Sequence, residues 1–338
     1  MKKITTFSKY LSYMVGGAEK STYEILKQKD KENYNIELIS FADIDTLGAN
    51  SKKIIFPQKW KLSFIKDMYL FNRFFYYEYL FNRSKIKTYF SDLEISSELY
   101  TYAIYAPVAI NSFQGKSKLF IRSETDLAIN TNYYRGVKKY LKNIYMILEY
   151  PAFYIYKQDL EESIQKADVV CNSKYMAKKL KKLYGKRSEV LYPYIDEERL
   201  KKEFVEVKSD VKEKGIVFVG DAIIKGINIA KDIAKKMPNE KFYFFSRYIQ
   251  KVTIEENITW MPWQNREVNI YKHAKLVIVP SIWEEAYGRV SRESYILGIP
   301  VLVSNIGGLP ESVDEKKECI VDDYKNIEEW RKKIENII

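Results

Sequence analysis

Glu285 and Glu293 stand eight positions apart around Gly288, inside the stretch VPSIWEEAYGRVSRESYILGIPVLVSNIGGLPE that covers residues 279–311. Carboxylates accept hydrogen bonds from hydroxyls, and a ribose or hexose presents adjacent hydroxyls. Gly288 lets backbone approach a ligand closely. The residues that follow, Arg289 and Val290, open a helix whose free N–H groups and partial positive charge suit an anion. Hydroxyls at the glutamates and phosphate at the helix end make a site of the kind a nucleotide sugar would fill.

Spacing alone says little, because two glutamates eight apart occur by chance in any charged chain. The elements around them carry the argument. The apolar run 276–279 reads as a buried parallel strand ended by Pro280-Ser281. A helix from Arg289 stops at Gly298-Ile299-Pro300, a second strand covers 301–303, and a glycine turn follows at Gly307-Gly308. In such a βαβ unit the loop after a strand faces the carboxyl edge of the sheet, where ligands of open α/β folds bind.

Upstream, residues 3–7 and 35–41 read as strands around a helix that follows Gly16-Gly17, a second glycine turn at a helix start. Strands are expected at 87–90 and 117–121 around a helix at 99–110. Another expected strand, 167–173, leads into a basic helix over 174–182 with Met176, Leu180 and Leu183 on its apolar side. Residues 198–214 read as a charged linker. A strand at 215–220 then opens a second βαβ unit, with a helix at 227–237 and strands at 242–245 and 258–263. A short amphipathic helix is expected at 328–338.

Four segments, Pro280-Ser281, Glu285-Ala286-Tyr287-Gly288, Gly298-Ile299-Pro300-Val301 and Gly307-Gly308-Leu309-Pro310-Glu311, together resemble the donor-site segment of the family 4 glycosyltransferases, a GT-B group of mostly retaining enzymes. The family's E-x7-E pattern falls on Glu285 and Glu293. The resemblance implies an α/β GT-B fold, two Rossmann-like domains facing across a cleft, with residues 1–196 on the acceptor side and 197–338 binding the nucleotide sugar. It implies Glu293 at the ribose, Glu285 at the sugar hydroxyls, and Gly16 and Gly17 across from the donor diphosphate. No cofactor and no metal are implied; the donor would be a UDP-sugar or GDP-sugar, transferred with retention to a glycan or lipid-linked acceptor.

Relatives place an arginine after the first glycine of the loop 220–226 and a lysine before the second, clamping the diphosphate. Lys225 fits, but Asp221 stands where the arginine is expected. A carboxylate ~4 Å from a phosphate would repel it by ~4 kcal/mol at an effective dielectric near 20. Arg247 and Arg289 are candidate replacements, and Asp221 leaves open an inactive GT-B partner subunit. Trp260 or Trp263 could stack on the base. In the segment Arg122-Ser-Glu-Thr-Asp126, where relatives carry a histidine or acidic residue, Glu124 or Asp126 could serve the acceptor side. Asp43-Ile44-Asp45 has the D-x-D form of metal-dependent transferases and reads as a loop coincidence.

The 338 residues hold about two domains at ~150 each. No run approaches the ~18 apolar residues of a membrane span, and MKKITTFSKY reads as a first strand, without the core of a signal peptide. Cys171 and Cys319 form no disulfide or metal pattern, which points to a reducing cytoplasm. The single histidine, His273, excludes a multi-histidine metal site and reads as a surface residue. A net charge of +11 favours anionic partners. The basic residues occur in both halves and no recognition motif accompanies them, which argues against nucleic acid. Tyrosine and lysine are interleaved over 60–81 and again over 133–157, where Pro151 is expected to interrupt the helix. Such stretches combine core packing with a face suited to an anionic membrane, placing the chain in the cytoplasm and at the inner face of the membrane.

Overall fold

The computed structural model describes residues 3–8, 17–41, 51–55, 75–93, 97–129 and 136–338. Gly16, the Asp43–Asp45 motif and the aromatic residues 60–74 lie outside them. The chain divides into two compact units between Tyr192 and Pro193.

The first unit is built as β1 (Lys3–Ser8), α1 (Gly17–Lys31), β2 (Asn35–Ser40), β3 (Ser51–Ile55), α2 (Phe75–Ser91), β4 (Ser97–Tyr102), α3 (Ala106–Ser112), β5 (Ser117–Ile121), α4 (Val137–Lys166), β6 (Asp168–Cys171), α5 (Lys174–Tyr184) and β7 (Glu189–Val190). Its sheet has the order β3-β2-β1-β4-β5-β6-β7, and every pairing is parallel. Alternate residues fill opposite faces, as strands buried on both sides require. Ile4, Ile36, Leu38, Tyr100, Tyr102 and Phe120 pack with Leu26 of α1. On the other face Phe7 meets Phe90 and Tyr105.

Several expected boundaries move. Residues 87–90, expected as a strand, continue α2, because Tyr79, Ile86 and Phe90 recur on one helical face and are fully buried. The helix expected at 99–110 is a strand as far as Tyr102, its aromatic run filling the sheet, and turns helical only at Ala106-Pro107. Pro151 does not end α4. It lies on the exposed side, while Tyr145, Ala152, Tyr156, Leu160 and Ile164 hold the opposite face in the core. Arg83 clamps α2 to that helix through paired bonds to Asp159, 2.7 and 2.8 Å, and Tyr79 donates to the same carboxylate at 2.5 Å. Leu183, expected on the buried side of α5, is 50% exposed, two residues before the Gly185 stop.

The second unit runs α6 (Glu197–Val207), β8 (Gly215–Val219), α7 (Ile227–Lys236), β9 (Phe242–Ser246), β10 (Thr253–Glu255), β11 (Ile258–Pro262), α8 (Val268–Tyr271), β12 (Ala274–Val279), α9 (Arg289–Ile296), β13 (Val301–Ser304), α10 (Leu309–Ser312), β14 (Ile320–Val321) and α11 (Ile327–Glu335). The order is β10-β11-β9-β8-β12-β13-β14, parallel throughout except for β10, which pairs antiparallel at the edge. Ile216, Phe218, Phe244, Ile278 and Trp330 fill one face; Val217, Phe245, Val277, Val301 and Leu309 fill the other. The charged stretch 198–214, read as a linker, is helical as far as Val207: it forms most of α6, which Asp196 caps and whose Leu200 is fully buried, and only 208–214 are irregular. His273, expected at the surface, is half-buried. Its ring packs 4.9 Å from Tyr243 and 5.7 Å from Phe245, and burial with Lys272 nearby pushes it down to about 4.

Candidate functional site

The second sheet changes winding direction between its neighbours β8 and β12. The loop after β8 runs to α7 and the loop after β12 runs to α9, opening the crevice where open α/β sheets take ligands. The two loops are stitched together across it. Ser281 Oγ and Ile282 N both donate to Ile224 O at 3.0 Å. Gly226, with φ +80°, lets the first loop pass against the second, since a Cβ there would lie 1.7 Å from Pro280 O.

Lys225 and Glu285 meet in this crevice, Nζ to Oε2, at 3.0 Å. The glutamate is 14% exposed and the lysine 42%, so an incoming ligand can reach the pair. Gly308 N donates to Glu285 O at 2.6 Å, seating the loop on the glycine turn after β13. Gly288 (φ +110°) begins α9, and a Cβ there would strike Leu309 and Ser291 at 2.6 Å. Only glycine turns the chain so that the N–H groups of Arg289 and Val290 open the helix.

Glu293 lies deeper than a hydroxyl-binding carboxylate needs to. Arg289 Nε donates to its Oε1 at 2.7 Å, and Tyr271 donates to its Oε2 at 2.8 Å. Glu293 is 5% exposed. A second nitrogen of Arg289 reaches Tyr194 O at 3.4 Å. Burial, with Glu293 beside it, drives the Tyr271 phenol well above its ordinary range. Tyr271 was not foreseen from the sequence, since it sits in a four-residue helix with no motif of its own.

Asp221 turns toward backbone: Arg247 N donates to its carboxylate at 3.2 Å. The Arg247 guanidinium lies 4.7 Å over the Trp263 ring, a cation–π contact, and Trp263 is 40% exposed. Trp260 is instead a wall of the core, edge-on to Phe244 at 5.2 Å and bonded to Glu255 at 3.0 Å. Of the two tryptophans, Trp263 is the more exposed.

In the first unit, Gly17 is the first residue of α1. Asp126 works as a cap, accepting from Arg122 N at 2.8 Å and Ser123 N at 2.9 Å, although burial raises its carboxyl above the usual range. Glu124 is 1% exposed and ion-paired to Lys179 of α5, with Tyr175 donating to the same oxygen at 3.3 Å. Beside them Arg122 is buried between the Tyr102 and Phe120 rings, 5.0 and 5.1 Å away.

Residues 199–338 match the family model for glycosyl transferases group 1, which bears out in this unit the resemblance carried by the residues above. A D-inositol 3-phosphate glycosyltransferase of Mycolicibacterium smegmatis is 34% identical over 94 residues, 27% of this chain and 21% of that protein. Its counterpart in Rhodococcus jostii is 31% identical over 87 residues, 25% of this chain and 19% of that one. The aligned stretch thus spans about a fifth of the length of these curated relatives. Among solved structures, WaaG, a glycosyltransferase involved in lipopolysaccharide biosynthesis, superposes with a TM-score of 0.65 at 13% identity, covering 98% of this chain and 90% of that one. HepE of Anabaena, in complex with UDP and glucose, gives 0.63 at 13% identity, with 99% and 89% covered. At that identity the likeness is one of fold: two Rossmann-like units of the GT-B kind.

Proposed function

We propose that this chain, whose residues 199–338 belong to the glycosyl transferases group 1 family, moves a sugar from a nucleotide-diphosphate donor to an acceptor hydroxyl. The observation that carries the reading is the Lys225–Glu285 pair at the switch point, beside the N-terminus of α9. On this reading the cation and the start of α9 would serve the diphosphate and the carboxylate the sugar hydroxyls. HepE, holding UDP and glucose, is a relative in fold whose ligands are of this class.

The bond between the sugar's anomeric carbon and the phosphate oxygen breaks, and one to the acceptor oxygen forms. The acceptor's proton leaves with the diphosphate. Negative charge grows on the departing group, so catalysis rests on groups fixed there in advance. Lys225 and the amides of Arg289 and Val290 take that part, with Arg247 at the edge of the crevice. Glu285 orients the sugar, Glu293 serves the ribose once Arg289 turns to the phosphates, and Trp263 flanks the base. Glu124 and Asp126 act on the acceptor side through the shape of the 122–127 turn. The reading includes retention at the anomeric carbon, a UDP- or GDP-sugar donor, no metal, and a glycan or lipid-linked acceptor met at the inner face of a membrane.

The test is a thermal-shift screen with UDP, GDP, ADP, TDP and CMP and their sugars, repeated on Lys225→Ala. A shift with one nucleotide class that weakens in the variant, followed by transfer or slow hydrolysis of that donor, is the expected result. A second reading, a subunit without turnover, draws on Asp221 and on the paired state of both glutamates. No shift with any nucleotide would favour it.

A further inference from the structure

The 30-residue helix α4 carries two apolar faces, and among the described residues one of them is packed into the core. Tyr145, Ala152 and Tyr156 are buried along one side. Rotated away from these, Val137, Tyr140, Leu141, Ile144, Ile147, Leu148, Pro151 and Ile155 recur at three- and four-residue steps, the spacing of a single helical stripe. This stripe is open to solvent: Val137 is 77% exposed, Tyr140 72%, Ile147 71% and Leu148 50%. It extends for about 27 Å at ~1.5 Å per residue, longer than the scattered single exposures normal for a folded surface.

Charge selects the occupant. From 136 to 158 the sequence has Lys138, Lys139, Lys142 and Lys157 and a single carboxylate, Glu149. That carboxylate is buried on the inner side, where it accepts from Tyr76 N at 3.0 Å and is offset by the half-buried Lys142 beside it, so neither of the two belongs to the outer face. Acidic residues return only at Asp159, Glu161 and Glu162, past the end of the stripe. The whole unit follows suit. Residues 1–192 hold 32 Lys and Arg against 20 Asp and Glu, while residues 193–338 hold 24 against 25. The net +11 therefore belongs to the first unit alone, although basic residues occur in both halves. A second copy of this unit would be repelled by like charge, whereas an anionic lipid surface attracts it. No described helix is long and apolar enough to cross a membrane, so the stripe fits a helix lying in the interface plane.

We infer that the outer face of α4 docks the chain onto an anionic lipid bilayer, with Val137–Ile155 at the acyl boundary and the flanking lysines at the headgroups. This deepens the acceptor side of the proposed function. The vesicle assay below reads no donor binding or transfer, so either reading can fail without the other.

The test is co-sedimentation of the full chain with vesicles of phosphatidylcholine alone and of phosphatidylcholine mixed with phosphatidylglycerol. The variants are Ile144→Glu with Ile147→Glu, and Ile254→Glu, which places the same change on the 75% exposed edge strand of the other unit. All three positions are exposed, and an unchanged unfolding midpoint checks the fold. The wild-type chain should pellet with the mixed vesicles, less so at high salt. The double variant should lose about a hundredfold or more in binding, the scale expected when two buried isoleucines are replaced by charge, and Ile254→Glu should behave as wild type. Failure of the wild-type chain to pellet at low salt, or pelleting of the double variant to the same extent, overturns the inference. So does a wild-type dimer that the double variant splits, seen by light scattering without vesicle binding.

Discussion

Arg289 and Glu293, one helical turn apart on α9, are joined at 2.7 Å, and the side chains keep only 14% and 6% of their exposure. Breaking a buried pair leaves a charge without its partner, at a typical cost of ~3–5 kcal/mol. Arg289→Ala and Glu293→Ala should each destabilise the chain by an amount of that order, and the double variant should lose less than the sum. Urea unfolding of the four chains in a double-mutant cycle measures this. Additive losses would show that the two groups do not act as a pair.

Tyr271 tests the same cluster from its other side. Replacing it by Phe removes the donor at 2.8 Å from Glu293 Oε2 and leaves a buried oxygen short of a bond, which costs ~1–3 kcal/mol. Nucleotide affinity should fall as well if Glu293 meets the ribose, because one of the two partners that orient its carboxylate is then lost. Calorimetric titration with the nucleotide found in the donor screen reads the second effect, and an unchanged affinity would detach Glu293 from the ligand.

Lys225 is the cleaner probe of the crevice. It is 42% exposed, so Lys225→Ala should alter stability by less than ~1 kcal/mol. Losing a charge-assisted contact to phosphate, worth ~1.5–3 kcal/mol, should weaken nucleoside diphosphate binding by about 10- to 100-fold. Equal binding by both chains would move the phosphate site away from the switch point.

Asp221 should act in the opposite direction. Asp221→Asn keeps an acceptor for Arg247 N and removes a negative charge from the rim of the crevice. Affinity for a nucleoside diphosphate should rise severalfold at low salt, and the gain should shrink as ionic strength rises. A fall in affinity would mean that the carboxylate's placement of Arg247 matters more than its charge.

His273 makes stability depend on pH. The unfolded chain takes up its proton near the ordinary value of 6.5, while the folded ring resists protonation until about 4. The unfolded state therefore binds more protons in that window, and stability is lost as pH falls from 6.5 toward 4. The loss is at most about 3 kcal/mol, and smaller because the ring is only partly buried. His273→Gln should lose less stability than wild type over the same window, read by urea unfolding; parallel losses would place the acid sensitivity elsewhere.

Legibility followed the strength of the local signal. The βαβ unit from β12 to β13 was readable because Pro280-Ser281, Gly288, Gly298-Ile299-Pro300 and Gly307-Gly308 punctuate it at every boundary. In the first unit, strands and helices are written in the same tyrosines and phenylalanines. Residues 87–90 and 99–102 exchanged types because burial in the tertiary fold outweighs a short period. Glu285 with Lys225 was visible as two residues, but their contact was not, since 60 positions separate them and only the sheet order joins β8 to β12. The Arg289–Glu293 pair has helical i,i+4 spacing and lay within reach of sequence reasoning. Tyr271 did not, because only tertiary packing brings it to Glu293.

The bond from Gly308 N to Glu285 O joins the loop after β12 to the loop after β13, so neither behaves as an independent lid. Swinging Glu285 outward would drag the glycine turn and the start of α10 with it. The backbone that carries the Glu285 carboxylate is thus placed during folding. On the proposed function, the conformational entropy of ordering that loop is absent from the binding step, and the side chains of Lys225 and Arg289 are the parts that would exchange partners.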